Sequence, residues 1–340
     1  FLQWQHHLRA TLYQSRAPLP MTAMLPRLLR TWRAPACAFS LILSAFLSTP
    51  AAALEHVYMM VGTNPGGGYE QAGRALGQAM VDAGVARSVQ YENKAGAGGT
   101  IALAQFVGRQ RGNGNALLVT GAVMIGAILQ NKPPVALTEA TPIARLFHES
   151  NVFVVPAASP LKTMKDLLDL LKRDPASVTW GGGSRGSIDQ ISIGHIARAV
   201  GVDPAKINYV PFQGGGEASA AIVGGHVTVG ASGWAELAPF IRSGKVRALA
   251  ITAAERLPGN STPTLKEFGI DVVFENWRGI YAAPGITDAQ RKAITRAVVA
   301  ATKQKSWKDA VGNSSWTPSL LTGEEFEKFV AAETVRIEAS

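Results

Sequence analysis

The chain has 340 residues, 47% hydrophobic and 17% charged, a composition that excludes intrinsic disorder and suffices for one large domain or two medium lobes. Its formal charge of +9 is unevenly spread: Arg9, Arg16, Arg27, Arg30 and Arg33 precede residue 54 and no acid does, leaving 28 basic and 24 acidic residues in the remainder. That near balance removes the case for a nucleic-acid partner.

Residues 21–53 read as a signal peptide for secretion. Met21 opens it, Arg27, Arg30 and Arg33 charge its front, and the apolar stretch from Ala36 to Ser48 leads to Ala51-Ala52-Ala53, after which cleavage is expected. The stretch is well short of the ~20 residues a membrane-spanning helix needs. Residues 1–20 add nothing a signal requires and read as a mis-annotated upstream segment. Cys37, the only cysteine, lies at the front of the apolar stretch and not after it, where a lipid-attachment cysteine would stand, so neither lipid attachment nor a disulfide is expected. The expectation is a soluble, monomeric protein of a bacterial periplasm.

From residue 55 onward β-rich runs alternate with helical stretches. His56–Val61 is followed by a helix over 69–83, Ser88–Glu92 by one over 100–107, and Ala116–Thr120 by one over 123–130. A second series begins with a strand at 151–155 and a helix at 163–172, opened by the Thr163, Asp166 capping box. Strands at 177–180, 206–210, 227–231 and 246–251 then alternate with helices at 187–200, 217–223 and 235–243, and three helical pieces (288–303, 306–311 and 323–338) close the chain. Such alternation predicts an α/β fold with mainly parallel, doubly wound sheets. Two series predict two lobes, 54–155 plus 279–340 and 156–278, joined by two hinge crossings.

Four glycine clusters stand where a strand hands over to a helix: Gly66-Gly67-Gly68, Gly96-Ala97-Gly98-Gly99, Gly181-Gly182-Gly183 and Gly214-Gly215-Gly216. Each either makes a tight turn or presents free N–H groups and a positive helix end to an anion. Two clusters in each lobe point to a shared cleft. None carries a dinucleotide or P-loop fingerprint, and no cofactor is expected. Gly182-Gly183-Ser184-Arg185-Gly186 does match Gly-x-Ser-x-Gly, so a secreted serine hydrolase using Ser184 is the rival from another class. No histidine lies beyond His226 to complete its triad, and His195 and His226 lack a third ligand at metal spacing, so no metal is expected either.

At these clusters the sequence resembles the periplasmic solute receptors of tripartite tricarboxylate transporters, the Bug family, in its tricarboxylate-like branch. The likeness also runs through Glu92-Asn93-Lys94-Ala95-Gly96, Tyr209-Val210-Pro211-Phe212, Gly244-Lys245-Val246-Arg247 and Asn276-Trp277-Arg278-Gly279. It implies a two-lobed Venus-flytrap receptor without catalytic activity, handing a carboxylate such as citrate, or a dicarboxylate, to membrane permease subunits; feeding a membrane signalling partner is the alternative. Carried over, the resemblance places Gly67, Gly68, Tyr69 and Glu70 in one ligand loop, with Gly182, Gly183, Ser184, Arg185, Ser187, Gly214 and Gly215 opposite. Two positions depart from the family pattern: Glu70 stands where Asp is usual, and Arg185 has no usual counterpart.

A helix terminus contributes ~0.3–1 kcal/mol per charge and a hydrogen bond to a charged group roughly 1.5–3, so a tricarboxylate calls for added cations. Arg278 and Arg185 are the best placed for that role. Glu70 and Asp189, if they face the ligand, favour one bearing hydroxyl or amine donors. Tyr69, Trp234 and Trp277 either cover its carbon skeleton or pack in the core.

Overall fold

The structure, a computed structural model, describes residues 54–340; the expectations for 1–53, Cys37 included, lie outside the described residues. The first alternating series is β1 (Leu54–Val61), α1 (Gly68–Asp82), β2 (Ala86–Asn93), α2 (Thr100–Arg109), β3 (Ala116–Gly121) and α3 (Ala122–Asn131). β4 (Thr141–Glu149) leads into a second series of β5 (Asn151–Pro156), α4 (Met164–Arg173), β6 (Thr179–Gly182), α5 (Ile188–Ala199), β7 (Asn208–Pro211) and α6 (Gly215–Val223). β8 (Val229–Gly233), α7 (Trp234–Arg242), β9 (Val246–Ile251) and β10 (Asn276–Ala282) follow, and α8 (Asp288–Ala301), α9 (Lys305–Ser314), β11 (Thr317–Thr322) and α10 (Gly323–Glu338) close the chain. α4 starts at the capping box read from the sequence: Thr163 Oγ1 accepts from the Asp166 amide at 3.2 Å, and Asp166 Oδ2 from the Thr163 amide at 2.8 Å.

The strands form two sheets, in the orders β11-β4-β10-β3-β1-β2 and β7-β6-β8-β5-β9. Each is built on a parallel trio, β2-β1-β3 and β7-β6-β8, extended by antiparallel pairings on one side. The chain passes between the sheets at Ser150 and again between β9 and β10. The lobe boundaries read from the sequence fall a few residues later, at 155/156 and 278/279. β5 instead pairs with β8 and β9 in the second sheet, and all of β10 lies in the first. A short apolar run shows that a strand is buried without showing which sheet receives it.

Three strands escape the sequence reading, β4, β10 and β11; β10, all seven of whose residues are buried, falls at the second lobe boundary read from the sequence. β4 lies between β10 and β11, and its residues 143–147 are buried without interruption, so it lacks the alternation of a half-exposed strand. β11 is an edge strand whose pairing breaks between Pro318 and Leu321, as the missing proline N–H dictates. Trp277 packs edge-on against Phe326 and Phe329, 5.9 and 5.4 Å away between ring centres, and Trp234 joins Val152, Val154 and Leu237 in the core of the second sheet. Of the two alternatives for these tryptophans, the structure realises core packing.

Candidate functional site

The starts of α1, α3, α5, α6 and α7 meet at one cleft, a cavity of ≈ 50 Å³ between the two sheets. Glycine explains why so many helix ends gather there. The N-caps of α1, α3, α6 and α7 are Gly67, Gly121, Gly214 and Gly233, none of which supplies a side-chain cap. First-turn amides are left over for another acceptor; those of Gly68, Tyr69, Gly215 and Gly216 have none among the described residues. The absence of side chains also lets the loops touch across the cleft. A Cβ on Gly216 would lie 3.0 Å from the Pro65 carbonyl oxygen, one on Gly98 would lie 2.8 Å from Ser184 Oγ, and Asn64 donates to Glu217 from the opposite lobe.

Arg278, 3% exposed, anchors the cleft floor. Its Nη2 donates to Glu149 Oε1 at 3.0 Å, and its Nη1 donates to the carbonyl and side chain of Asn276. Its plane lies 5.3 Å from the ring centre of Tyr69, within cation–π range. Tyr69 is fixed in turn by the Met124 amide, which donates to its hydroxyl at 2.9 Å; burial pushes that hydroxyl up to about 12. Arg278 Nε has no partner, nor do the hydroxyls of Thr63 and Ser184, although all three residues line the cleft.

From Arg278 a hydrogen-bond chain runs through both crossings. Asn276 Nδ2 donates to Asn151 Oδ1 at 3.0 Å, Asn151 donates to Asp189 Oδ1, and Asp189 Oδ2 accepts from the Gly183 amide at 2.7 Å. A glycine loop of the second lobe that borders the cleft is thus wired to the hinge. Burial pushes Glu149 and Asp189 up to about 7 each, opposed for Glu149 chiefly by the Arg278 charge and for Asp189 chiefly by the Gly183 amide; the Glu236 charge reinforces the shift in both.

Of the residues singled out in the sequence, Gly68, Tyr69, Gly183, Ser184, Asp189, Gly214, Gly215 and Arg278 line the cleft. Gly67 caps α1 beside it, and Gly182 ends β6 behind it. Glu70 turns away, pairing with Arg74 and accepting from the Gly66 amide at 3.4 Å, so its carboxylate orders the loop. Ser187 caps α5 and contacts the Tyr209 hydroxyl at 3.3 Å. Arg185 is exposed in a neighbouring depression beside Gln213, and Trp234 is core; neither lines the cleft. The predicted second cation, Arg185, thus borders the neighbouring depression and not the cleft itself. Sequence reasoning missed Thr63, Ser232, Glu236, Asn276, Glu149 and Asn151; an acid two residues after Gly233-Trp234 at a helix start was the available signal for Glu236.

The hydrolase alternative lacks its chemistry. Among the described residues Ser184 Oγ has no hydrogen-bond partner, and no histidine lines the cleft. Among the described residues no group of three His, Cys, Asp or Glu side chains is arranged to hold a metal, and no helix is long and apolar enough to cross a membrane.

The family described as "Tripartite tricarboxylate transporter family receptor" matches residues 74–339. The chain belongs to this family. These receptors bind solutes and are not enzymes. Protein BugT of Bordetella pertussis is 25% identical to this receptor over 286 residues, 82% of this chain and 86% of its own. MatC of Rhodopseudomonas palustris, solved with malate bound, is 24% identical with a TM-score of 0.73, covering 84% of this receptor and 98% of its own chain. A second R. palustris protein, solved with adipate, is 21% identical with a TM-score of 0.75, covering 84% and 95%. Both structures share this receptor's two-lobed fold.

Proposed function

We propose that this receptor captures a small organic carboxylate between its two lobes, 54–149 with 276–340 and 151–251, and passes it to membrane permease subunits of a tripartite transporter. The observation that carries this reading is the set of buried donors without acceptors in the cleft: Arg278 Nε, the Thr63 hydroxyl and the amides of Gly68 and Tyr69. Buried donors without acceptors are costly, and a carboxylate bound there satisfies several at once. Because the loops of both lobes border the same cavity, the ligand gains contacts only when they are together, which is the condition for ligand-driven closure. Among the described residues Arg278 is the sole Arg or Lys lining the cleft, which favours a mono- or dicarboxylate over citrate, and malate and adipate in the two R. palustris proteins are of that size and charge. Action as a monomer in the periplasm after removal of the signal peptide completes the proposal.

Calorimetry of the purified protein against succinate, malate, adipate, aspartate and citrate tests it. Binding of at least one acid is expected, weakened about 10-fold or more by Arg278→Met, since a hydrogen bond to a charged group contributes roughly 1.5–3 kcal/mol. Affinity unchanged in that variant discards the role of Arg278.

A further inference from the structure

The electrostatics of the cleft say more about its ligand than the glycine loops do. Two carboxylates line it, Asp189 in the first turn of α5 and Glu236 in the first turn of α7. Both are buried, and neither has a salt-bridge partner among the described residues, because the one cleft arginine is engaged with a third buried acid, Glu149. Glu236 Oε2 accepts from the Ser232 hydroxyl, while Oε1 has no donor among the described residues. The Glu236 carboxylate packs directly against the Cα of Gly215, at the start of α6. Acids of this receptor therefore already stand at the helix starts of the second lobe: Asp189 accepts from the Gly183 amide, Glu149 accepts from the Ala235 amide of α7, and Glu236 lies against the start of α6, whose Gly215 and Gly216 amides stay free among the described residues. On the first-lobe side the situation is reversed. Glu70 has turned to Arg74, and the Thr63 hydroxyl and Arg278 Nε, both more than nine-tenths buried and both without partners, border the cleft beside the free amide of Gly68.

We propose that the ligand carries a cationic group as well as a carboxylate, an ammonium-bearing acid whose carboxylate faces Thr63, Gly68 and Arg278 while Glu236 receives its positive group. The assignment rests on the carboxylate reading above and names Glu236 as its specificity determinant. A dianion would meet the uncompensated acids of the second lobe, whereas an ammonium supplies the donors that Glu236 Oε1 lacks.

Matched pairs that differ only in hydroxyl against ammonium test it: malate and aspartate, 2-hydroxyglutarate and glutamate, lactate and alanine, titrated at pH 7.5 into the wild-type protein and into Glu236→Gln. Gln keeps an acceptor for Ser232 and removes the charge. The amino member of at least one pair is expected to bind about 10-fold or more tightly than its hydroxy partner, and the ratio is expected to fall to about 2 or less in Glu236→Gln. Hydroxy acids binding as well as or better than their amino partners overturn the proposal and leave the carboxylate reading standing. A preference that survives in a folded Glu236→Gln overturns the assignment to Glu236. Should that variant fail to fold, the wild-type ratio alone decides. Binding of succinate or adipate with none of the six acids also overturns it, and binding of no carboxylate at all refutes the underlying reading.

Discussion

Arg278 and Glu149 are buried to 3% and 2% exposure, and their 3.0 Å ion pair sits at the point where the first sheet meets the hinge. Replacing Arg278 with Met leaves Glu149 facing only the Ala235 amide, 3.1 Å from Oε2, together with the charges of Glu236 and Asp189. Breaking a buried pair from one side costs about 3–5 kcal/mol. The cost depends on pH with a definite sign. Glu149 is raised to about 7, so at pH 8.5 it is ionised in the folded wild type and Arg278 is its counter-charge, whereas at pH 5.5 it is largely protonated and there is little pair to break. Denaturant unfolding is expected to show Arg278→Met destabilised by about 3–5 kcal/mol at pH 8.5, equivalent to about 5–8 °C for a chain of this size, and by about 1–2 kcal/mol at pH 5.5. The double variant Arg278→Met with Glu149→Gln is expected to lose less at pH 8.5 than the two single variants together. An equal cost at both pH values, or additive single effects, refutes the argument that an ionised Glu149 is held by Arg278.

Other consequences are open to measurement. Gly126 of α3 packs against the backbone carbonyl of Gly186 from the second lobe, so Gly126→Val is expected to hold the lobes apart; scattering of a more open form and a ligand affinity lowered about 10-fold or more check it, and unchanged affinity refutes it. Thr63→Val removes a buried hydroxyl without a partner, so thermal stability is expected to stay level or rise while calorimetry shows ligand affinity falling about 5-fold. Asp189 is raised from 3.8 to about 7, so the folded state binds its proton more tightly than the unfolded chain. The stability linked to that proton is complete below pH ~4 and is lost as pH rises through about 7, a change on the order of 4 kcal/mol; urea unfolding across pH 4–8 without ligand measures it, and stability rising over that range contradicts it.

Helix starts were legible where their chemistry is local. The capping box at Thr163 and the glycine turns before α1 and α6 act within four residues, so spacing alone reveals them. β4, β10 and β11 were not legible, the first two because both their faces are covered and the third because Pro318 breaks its pattern. The site divides in the same way. Gly68, Gly183 and Gly214 follow from strand-to-helix turns, and Arg278 from the Asn276-Trp277-Arg278-Gly279 run. Arg185 stands in the expected loop and borders the depression next to the cleft, a placement that depends on the packing of the loops and not on its position in the chain.

By itself the sequence determined an α/β chain with two alternating series, glycine turns at the ends of its parallel strands and a near balance of charge after residue 53. Those properties depend on neighbours in the chain. Only the tertiary structure decided that Glu149, Asp189 and Glu236 crowd around one arginine, and that Asn151 joins Asn276 and Asp189 across the hinge. Such couplings unite residues 38 to 125 positions apart, and their energies depend on burial and distance, which chain order does not encode.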